Sequence, residues 1–424
     1  HLIPEDAGRR LELMITGQVS TGGAMPVVRP FEHQPGKETP PKEEEYRSDD
    51  CLWLFNTIPA YVKETGDLGF YDKSLPFADQ GQATVLGHMK RAIEFTIRRS
   101  GSHGLPCGLS ADWNDCLALG HDGETVFVAF QLRFALKTYV EICDRLCRAE
   151  ESSWGRRHLE VLDRNIKQYA WDGQWFLRAW RRDGRKFGSH ENDEGRIWLN
   201  PQTWAVLSGH TLPQQARRVM NAVADHLCTE YGIMICDPPY RKTDHTIIKA
   251  SLFNEGMKEN ASIFSHTQGW AVIAEAMLGG GNQAFRYYRA FMPAAYNTRA
   301  EIRQIEPYVN CQFTHSKYSP RFGASRLPWL TGAAAWSYYA ATQYILGVQP
   351  DYDGLRIDPC IPADWKHIKL TRRFRGKQID IEINNDAAVQ KGVRQIIVND
   401  RKISGNLIPL NILNNANQVQ VVMG

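Results

Sequence analysis

The stretch HGLPCGLSADWND, from His103 to Asp115, places two carboxylates and an indole side by side at Asp112, Trp113 and Asp115. Gly, Pro and Ser surround them, and apolar periodic runs lie on either side, so the three are expected on a loop above a helical scaffold. Such a set suits a sugar. A pyranose offers C–H groups to an aromatic face while a neighbouring acid protonates the glycosidic oxygen. The same residues also fit a surface loop with a helix-capping Asp and a core Trp, because Asp commonly precedes a helix.

Three further clusters fall on expected loops or helix starts: Arg47 with Asp49 and Asp50; Lys258, Glu259 and His266; and Gln312 with Thr331 and Gly332. Asp49 and Asp50 lead into an apolar run, where acids stabilise the positive end of a helix; capping accounts for one, leaving the other for sugar hydroxyls. His266 begins a helix in GMKENASIFSHTQGW, a position that suits a structural hydrogen-bonder as well as an active-site group. Thr331 and Gly332 precede an Ala-rich run whose first N–H groups form an anion site, and Gly332 lets an oxyanion approach the backbone. No Walker loop, GxGxxG or metal-spaced His/Cys set is present, so neither a metal nor a cofactor is expected.

The elements that must position these clusters read as helices first and strands last. Apolar residues recur at helical spacing from Pro4 to Ile15, Asp49 to Asp67, Gln82 to Arg99, Glu124 to Leu146 and Glu151 to Tyr169. After a hairpin expected between Trp171 and Ser189, further helices follow at Gln214 to Leu227, His266 to Leu278, Gln283 to Phe291 and Thr331 to Leu346. Long helices joined by polar loops, without heptads, suggest a closed α/α toroid whose loops gather at one end. From Gln349 the pattern switches to period-two alternation, with NDRKISG and NNANQ as candidate hairpin loops and a final strand that docks the C-terminus. Residues 1–348 are thus expected to form the catalytic unit and 349–424 a small β domain.

With 424 residues and a net charge of +3, the chain has no charge block that would mark nucleic acid or a membrane surface as its partner. Nine Cys at irregular spacing, no CxxC pair and no signal-like apolar start lead to the expectation of a reduced, cytoplasmic protein. No apolar run approaches the roughly 20 residues that span a bilayer.

The segments ADWNDC, KENASIFSHTQGWA, IEPYVNCQF and PWLTGAAAWSYYAATQYILG, followed by GLRIDPCIP, resemble the inverting disaccharide phosphorylases of glycoside hydrolase family 94, most closely those acting on cellobiose, with chitobiose and laminaribiose enzymes as relatives. The resemblance covers nearly the whole chain. It implies an (α/α)6 barrel followed by a small C-terminal β-sandwich. It also implies that Asp115 is the general acid, that Trp113, Asp50, Arg47, Lys258 and Glu259 lie at the sugar sites, and that His266, Gln312, Thr331 and Gly332 hold inorganic phosphate as co-substrate. Phosphate is already anionic and attacks the anomeric carbon without a base, so one carboxylate suffices to give an α-sugar 1-phosphate. Family members carry an N-terminal β-sandwich, linker helices and a first barrel helix ahead of the segment matching HLIPE. The expectation is therefore a barrel lacking part of its first hairpin, with exposed apolar faces that favour a homodimer or a partner chain. Two other readings stay open: an inverting glycosidase with Glu259 or Glu306 as base, and a truncated, non-catalytic sugar-binding remnant.

Overall fold

The computed structural model describes residues 3–424. Its helices fall into two kinds, set by how their apolar residues are distributed. In Leu199–Leu207 (α6) every residue up to Val206 is buried, the polar Asn200, Gln202 and Thr203 included. Val126–Arg145 (α4) and Ser265–Met277 (α8) are likewise buried on nearly all sides. By contrast Ala149–Tyr169 (α5) buries only Ser152, Gly155, Leu162 and Ile166, a single stripe at helical spacing. Pro4–Ile15 (α1), Val85–Arg98 (α3), Pro213–His226 (α7) and Gly281–Phe291 (α9) also carry one buried face each.

These two kinds form an inner and an outer row. Leu54–Thr65 (α2), α4, α6, α8 and Ala333–Tyr339 (α11) make the inner row, each except α2 and α11 packing between two inner neighbours. Outside them α1 backs α2, α3 and α5 back α4, α7 backs α6, and α9 backs α8. A short helix, Ala300–Arg303 (α10), lies in the connection to α11. Each inner element sends one aromatic ring to a shared centre: Trp53, Phe127, Trp204, Trp270 and Trp336, with centroids of touching pairs 5.5–6.2 Å apart. Such offset and edge-on contacts lock the row ends together more specifically than aliphatic packing.

The expected helices are present: α2, α3, α4 and α11 are shorter than expected, α5 and α9 each begin two residues earlier, and α1, α7 and α8 keep the expected length. The Asp49–Asp67 run becomes a 3-10 turn at Asp50–Trp53 leading into α2, and Gly66 ends that helix at φ +79, a conformation open to Gly, with its N–H on the Val62 carbonyl. The Thr331–Leu346 run starts at Ala333 as α11 and widens into a π-helical turn over Ala340–Ile345. The hairpin expected over Trp171–Ser189 pairs only Ala179–Trp180 with Lys186–Phe187, and its first strand joins Gly120–Thr125 and Cys107–Leu109 in one four-stranded sheet.

Beyond α11 the chain is β. Val348–Pro350, Gly354–Ile357 and Leu407–Pro409 form a three-stranded antiparallel sheet, and His367–Phe374, Lys377–Asn384, Ala416–Met423, Val393–Val398 and Arg401–Ile403 form a five-stranded one in that spatial order. NDRKISG is a hairpin, with Asn399 and Asp400 both at positive φ as a two-residue primed turn requires. NNANQ is not. It carries the chain from the smaller sheet into the larger, where Ala416–Met423 lies between Lys377–Asn384, its parallel partner, and Val393–Val398. This centrally paired last strand buries Asn417, Val419, Val421 and Met423 in alternation, so the C-terminus is docked as expected. The β region meets the helices through Tyr71 and Tyr352 hydroxyls 2.8 Å apart and through the buried Arg372–Glu64 pair. All nine cysteines carry free thiols, and among the described residues no helix is long and apolar enough to cross a membrane.

Candidate active site

The loop of interest is strung between the strands Cys107–Leu109 and Gly120–Thr125, which pair with each other and so hold both of its ends. The 46–48 segment is laid along it: Ser48 N–H donates to the Ala111 carbonyl and Ser110 N–H to the Tyr46 carbonyl, both at 3.0 Å. Arg47 therefore reaches the loop's tip. Its Nη1 donates to Asp115 Oδ1 at 2.5 Å and its Nη2 to the Asp112 carbonyl at 2.6 Å, while Nε stands 3.7 Å from Asp50 Oδ1. The Asp115 side chain is 69% exposed, so it is open to a ligand rather than turned into the core.

Asp112 is a different kind of carboxylate. It is buried, and its oxygens accept from Arg178 Nη2 (2.6 Å), Thr125 Oγ1 (2.7 Å) and the Asn114 N–H (2.9 Å). The loop thus uses one acid for structure and presents the other. Asp49 is also buried. One oxygen accepts from Trp53 Nε1 at 2.8 Å, the other has no hydrogen-bond partner, and burial together with Asp50 and Asp112 pushes its carboxyl up from the usual range.

Trp113 joins this loop to the second cluster. Its indole Nε1 donates to His266 Nδ1 at 3.1 Å, and the two rings are edge-on with centroids 5.3 Å apart. An indole can only donate, so Nδ1 of His266 is an acceptor and a neutral ring carries its proton on Nε2. Burial keeps His266 neutral by lowering its pKa to about 4. The Nε2 edge faces the start of α11: a Cβ placed on Gly332 would sit 3.3 Å from both Nε2 and Cε1. Next to it, the Thr331 hydroxyl accepts the Ala333 N–H at 3.0 Å.

A three-stranded sheet brings Gln312 alongside. Cys311–Thr314 pairs on one side with Ile263–Phe264, which runs straight into α8 and His266, and on the other with Ser325–Pro328, which leads to Thr331. Gln312 Oε1 accepts from Lys258 Nζ at 2.6 Å. Lys258 itself sits at φ +48, the left-handed corner of a tight turn closed by the Asn260 N–H on the Met257 carbonyl. Glu259 does not face solvent. Its Oε2 accepts from Asn114 Nδ2 (3.2 Å) and the Cys116 N–H (3.3 Å), and burial, aided by Asp115 and Asp112, raises its pKa to about 7.

Arg178, Asn114 and Thr125 escaped the sequence reading. The signal for Arg178 was present: a charged residue inside the apolar run WFLRAW must find a partner when that run is buried. Nothing in the sequence pointed to which partner. The chemistry offered by the assembled groups is an exposed acid at Asp115, an aromatic wall at Trp113, and uncharged or cationic hydrogen-bond donors at His266 Nε2, Lys258 and the α11 start. Among the described residues no group of His, Cys, Asp and Glu is arranged to hold a metal ion.

The sequence profile of the glycosyl hydrolase 94 superfamily, catalytic domain, matches residues 1–347. The chain belongs to this family. The profile of the glycosyl hydrolase family 65 C-terminal domain matches residues 349–395. Among curated relatives, an N,N'-diacetylchitobiose phosphorylase of Vibrio proteolyticus is 36% identical over all of this chain and 55% of its own length. A solabiose phosphorylase of Paenibacillus borealis is 34% identical over 86% of this chain and 48% of its own. The chain thus spans about half the length of these relatives. Of solved structures, a family 78 rhamnosidase of Bacillus sp. GL1 superposes with a TM-score of 0.52 at 13% identity, covering 80% of this chain and 32% of that one, a likeness of fold alone.

Proposed function

We propose that this chain carries the reacting centre of an inverting phosphorylase that cleaves a β-linked disaccharide with inorganic phosphate, releasing an α-sugar 1-phosphate and a free sugar. The observation that carries the reading is the 3.1 Å bond from Trp113 to His266, which ties the loop bearing the acid to the imidazole at the α11 start. Asp115 donates a proton to the departing glycosidic oxygen; phosphate, held by His266, Gln312, Thr331 and Gly332, attacks the anomeric carbon from the opposite face. Trp113, Asp50, Arg47, Lys258 and Glu259 serve the sugar. Arg47 is bonded to Asp115 and must yield as the glycosidic oxygen takes its place. Glu259 acts from behind the loop, through Asn114.

Hydrolysis would need a second carboxylate that is ionised and placed to activate water. Glu259 is buried and disposed to keep its proton near neutrality, and Glu306 lies on an exposed turn where its carbonyl, not its carboxylate, is engaged by Arg303. The burial of Glu259 favours phosphate as the nucleophile. The reading needs no cofactor, and with nine free thiols it suits a reducing compartment such as the cytoplasm. The helical rows are best read as an (α/α)6 barrel over 1–348, with the β region 349–424 as a sandwich domain beside it.

The test is to incubate the chain with cellobiose and with N,N'-diacetylchitobiose, with and without phosphate, and assay for the sugar 1-phosphate. Product only when phosphate is present, abolished in Asp115→Asn with the fold retained, is the expected outcome. Two free sugars without phosphate would make the chain a hydrolase, and binding without turnover would make it a sugar-binding remnant.

A further inference from the structure

Arg178 has a side chain with no exposed surface, enclosed between the rings of Phe127 and Trp198. Its Nη2 donates to Asp112 Oδ1 at 2.6 Å and to Asn114 Oδ1 at 2.7 Å, and its Nη1 to Thr125 Oγ1 at 3.0 Å. Two lines of hydrogen bonds run outward from this one guanidinium. The first passes through Asp112, whose carbonyl accepts from Arg47, and so reaches Asp115. The second passes through Asn114, whose Nδ2 donates to Glu259, the neighbour of Lys258.

Stability alone does not account for this arrangement. Burying an ion pair costs desolvation of both charges, and apolar side chains of the same volume often replace such a pair without loss. What apolar residues cannot do is bridge Asp112 and Asn114 of one loop from a single donor nitrogen, Nη2, while the second nitrogen of the same rigid plane, Nη1, holds Thr125 beside them. A Lys ammonium is a single donor centre on a flexible stem and has no second nitrogen to hold Thr125 in the same plane. We infer that Arg178 is a positioning residue of the active site: it sets the acid-bearing loop 112–116 and, through Asn114, registers that loop against the Lys258–Glu259 turn. Its kinetic consequence rests on the phosphorolysis reading; its structural consequence does not.

The experiment compares Arg178→Lys and Arg178→Met with Arg133→Lys, in the full chain. Arg133 is a matched control, since it makes a two-pronged pair with Asp163 away from this loop. Hydrogen exchange should speed up in the peptides covering 110–118 and 256–262 in both Arg178 variants and in neither peptide of the control. Asn114→Ser should loosen 256–262 while 110–118 stays protected by Asp112. In phosphorolysis kcat should fall about 100-fold, the effect of a misplaced reacting group, while the phosphate KM stays near that of the parent. Unchanged exchange in Arg178→Lys overturns the inference, as does an equal kcat loss in Arg133→Lys. If Arg178→Met does not fold, Arg178→Lys and Asn114→Ser still decide. A parent chain inactive on every disaccharide would defeat the functional reading, and the exchange pattern would decide the role of Arg178 by itself.

Discussion

Trp113 holds His266 in one tautomer, and that is the most sensitive single contact in the site. Trp113→Phe keeps the aromatic wall but removes the donor to Nδ1, freeing the ring to place its proton on either nitrogen. A neutral hydrogen bond contributes about 1 kcal/mol, so the phosphate KM should rise by about 5-fold with the sugar KM little changed; steady-state kinetics with phosphate varied would show it. Glu259 gives a second prediction, on stability. Its carboxyl is raised from 4.5 to about 7 in the folded chain, which therefore holds a proton that the unfolded chain has released. The associated stability is complete below pH 4.5 and is lost as pH rises through 7. His266 runs the other way, lowered from 6.5 to about 4, so its contribution is lost as pH falls through that window. The difference between the parent and Glu259→Gln isolates the carboxyl: urea denaturation should show the parent losing ground to the variant between pH 4.5 and 7. A flat difference would mean that Glu259 is ionised when folded.

Among elements, α11 has the most exacting start. Gly332 lies where a Cβ would press on the His266 ring at 3.3 Å, so the helix approaches the imidazole only because that side chain is absent. Gly332→Ala should displace the ring by a few tenths of an ångström and raise the phosphate KM about 10-fold, while the melting temperature stays near that of the parent. Isothermal titration with phosphate in the presence of a sugar would report the same loss as weaker binding. The loop 110–119 depends on elements in another way. Its ends are pinned by sheet pairing and its middle by the 46–48 segment, so its geometry follows from chain segments some sixty residues apart. That is why its position was not legible locally.

At the level of the whole molecule the inner row holds five helices among the described residues, and α11 differs from the rest. Ala334, Ala335 and Tyr338 on it are exposed, with Trp329 and Leu330 just ahead at 69% and 61% exposure, whereas α6 is enclosed. A contiguous apolar face of this kind marks a contact surface. The chain should therefore self-associate at micromolar concentration, and Ala335→Glu should return it to a monomer in sedimentation velocity. A parent chain that sediments as a monomer at all concentrations would remove this expectation.

Local quantities were legible from the residues in order: where apolar residues recur every three to four positions, where they alternate, and which loops carry acids, rings and small residues. Those patterns are short-range consequences of backbone geometry, and they made the helical rows, the β region beyond 348 and the His103–Asp115 loop readable. Tertiary structure alone decided which acid is presented and which is buried. Asp112 and Asp115 differ little in sequence context, but only Asp112 meets Arg178 and Thr125, and only Asp115 stays in reach of solvent. The same holds for NNANQ, whose turn-like composition could not reveal that its two flanking strands belong to different sheets. Burial, ion pairing and strand order all depend on partners distant in the chain, and a hydrogen bond between Trp113 and His266 has no signature until folding brings the two together.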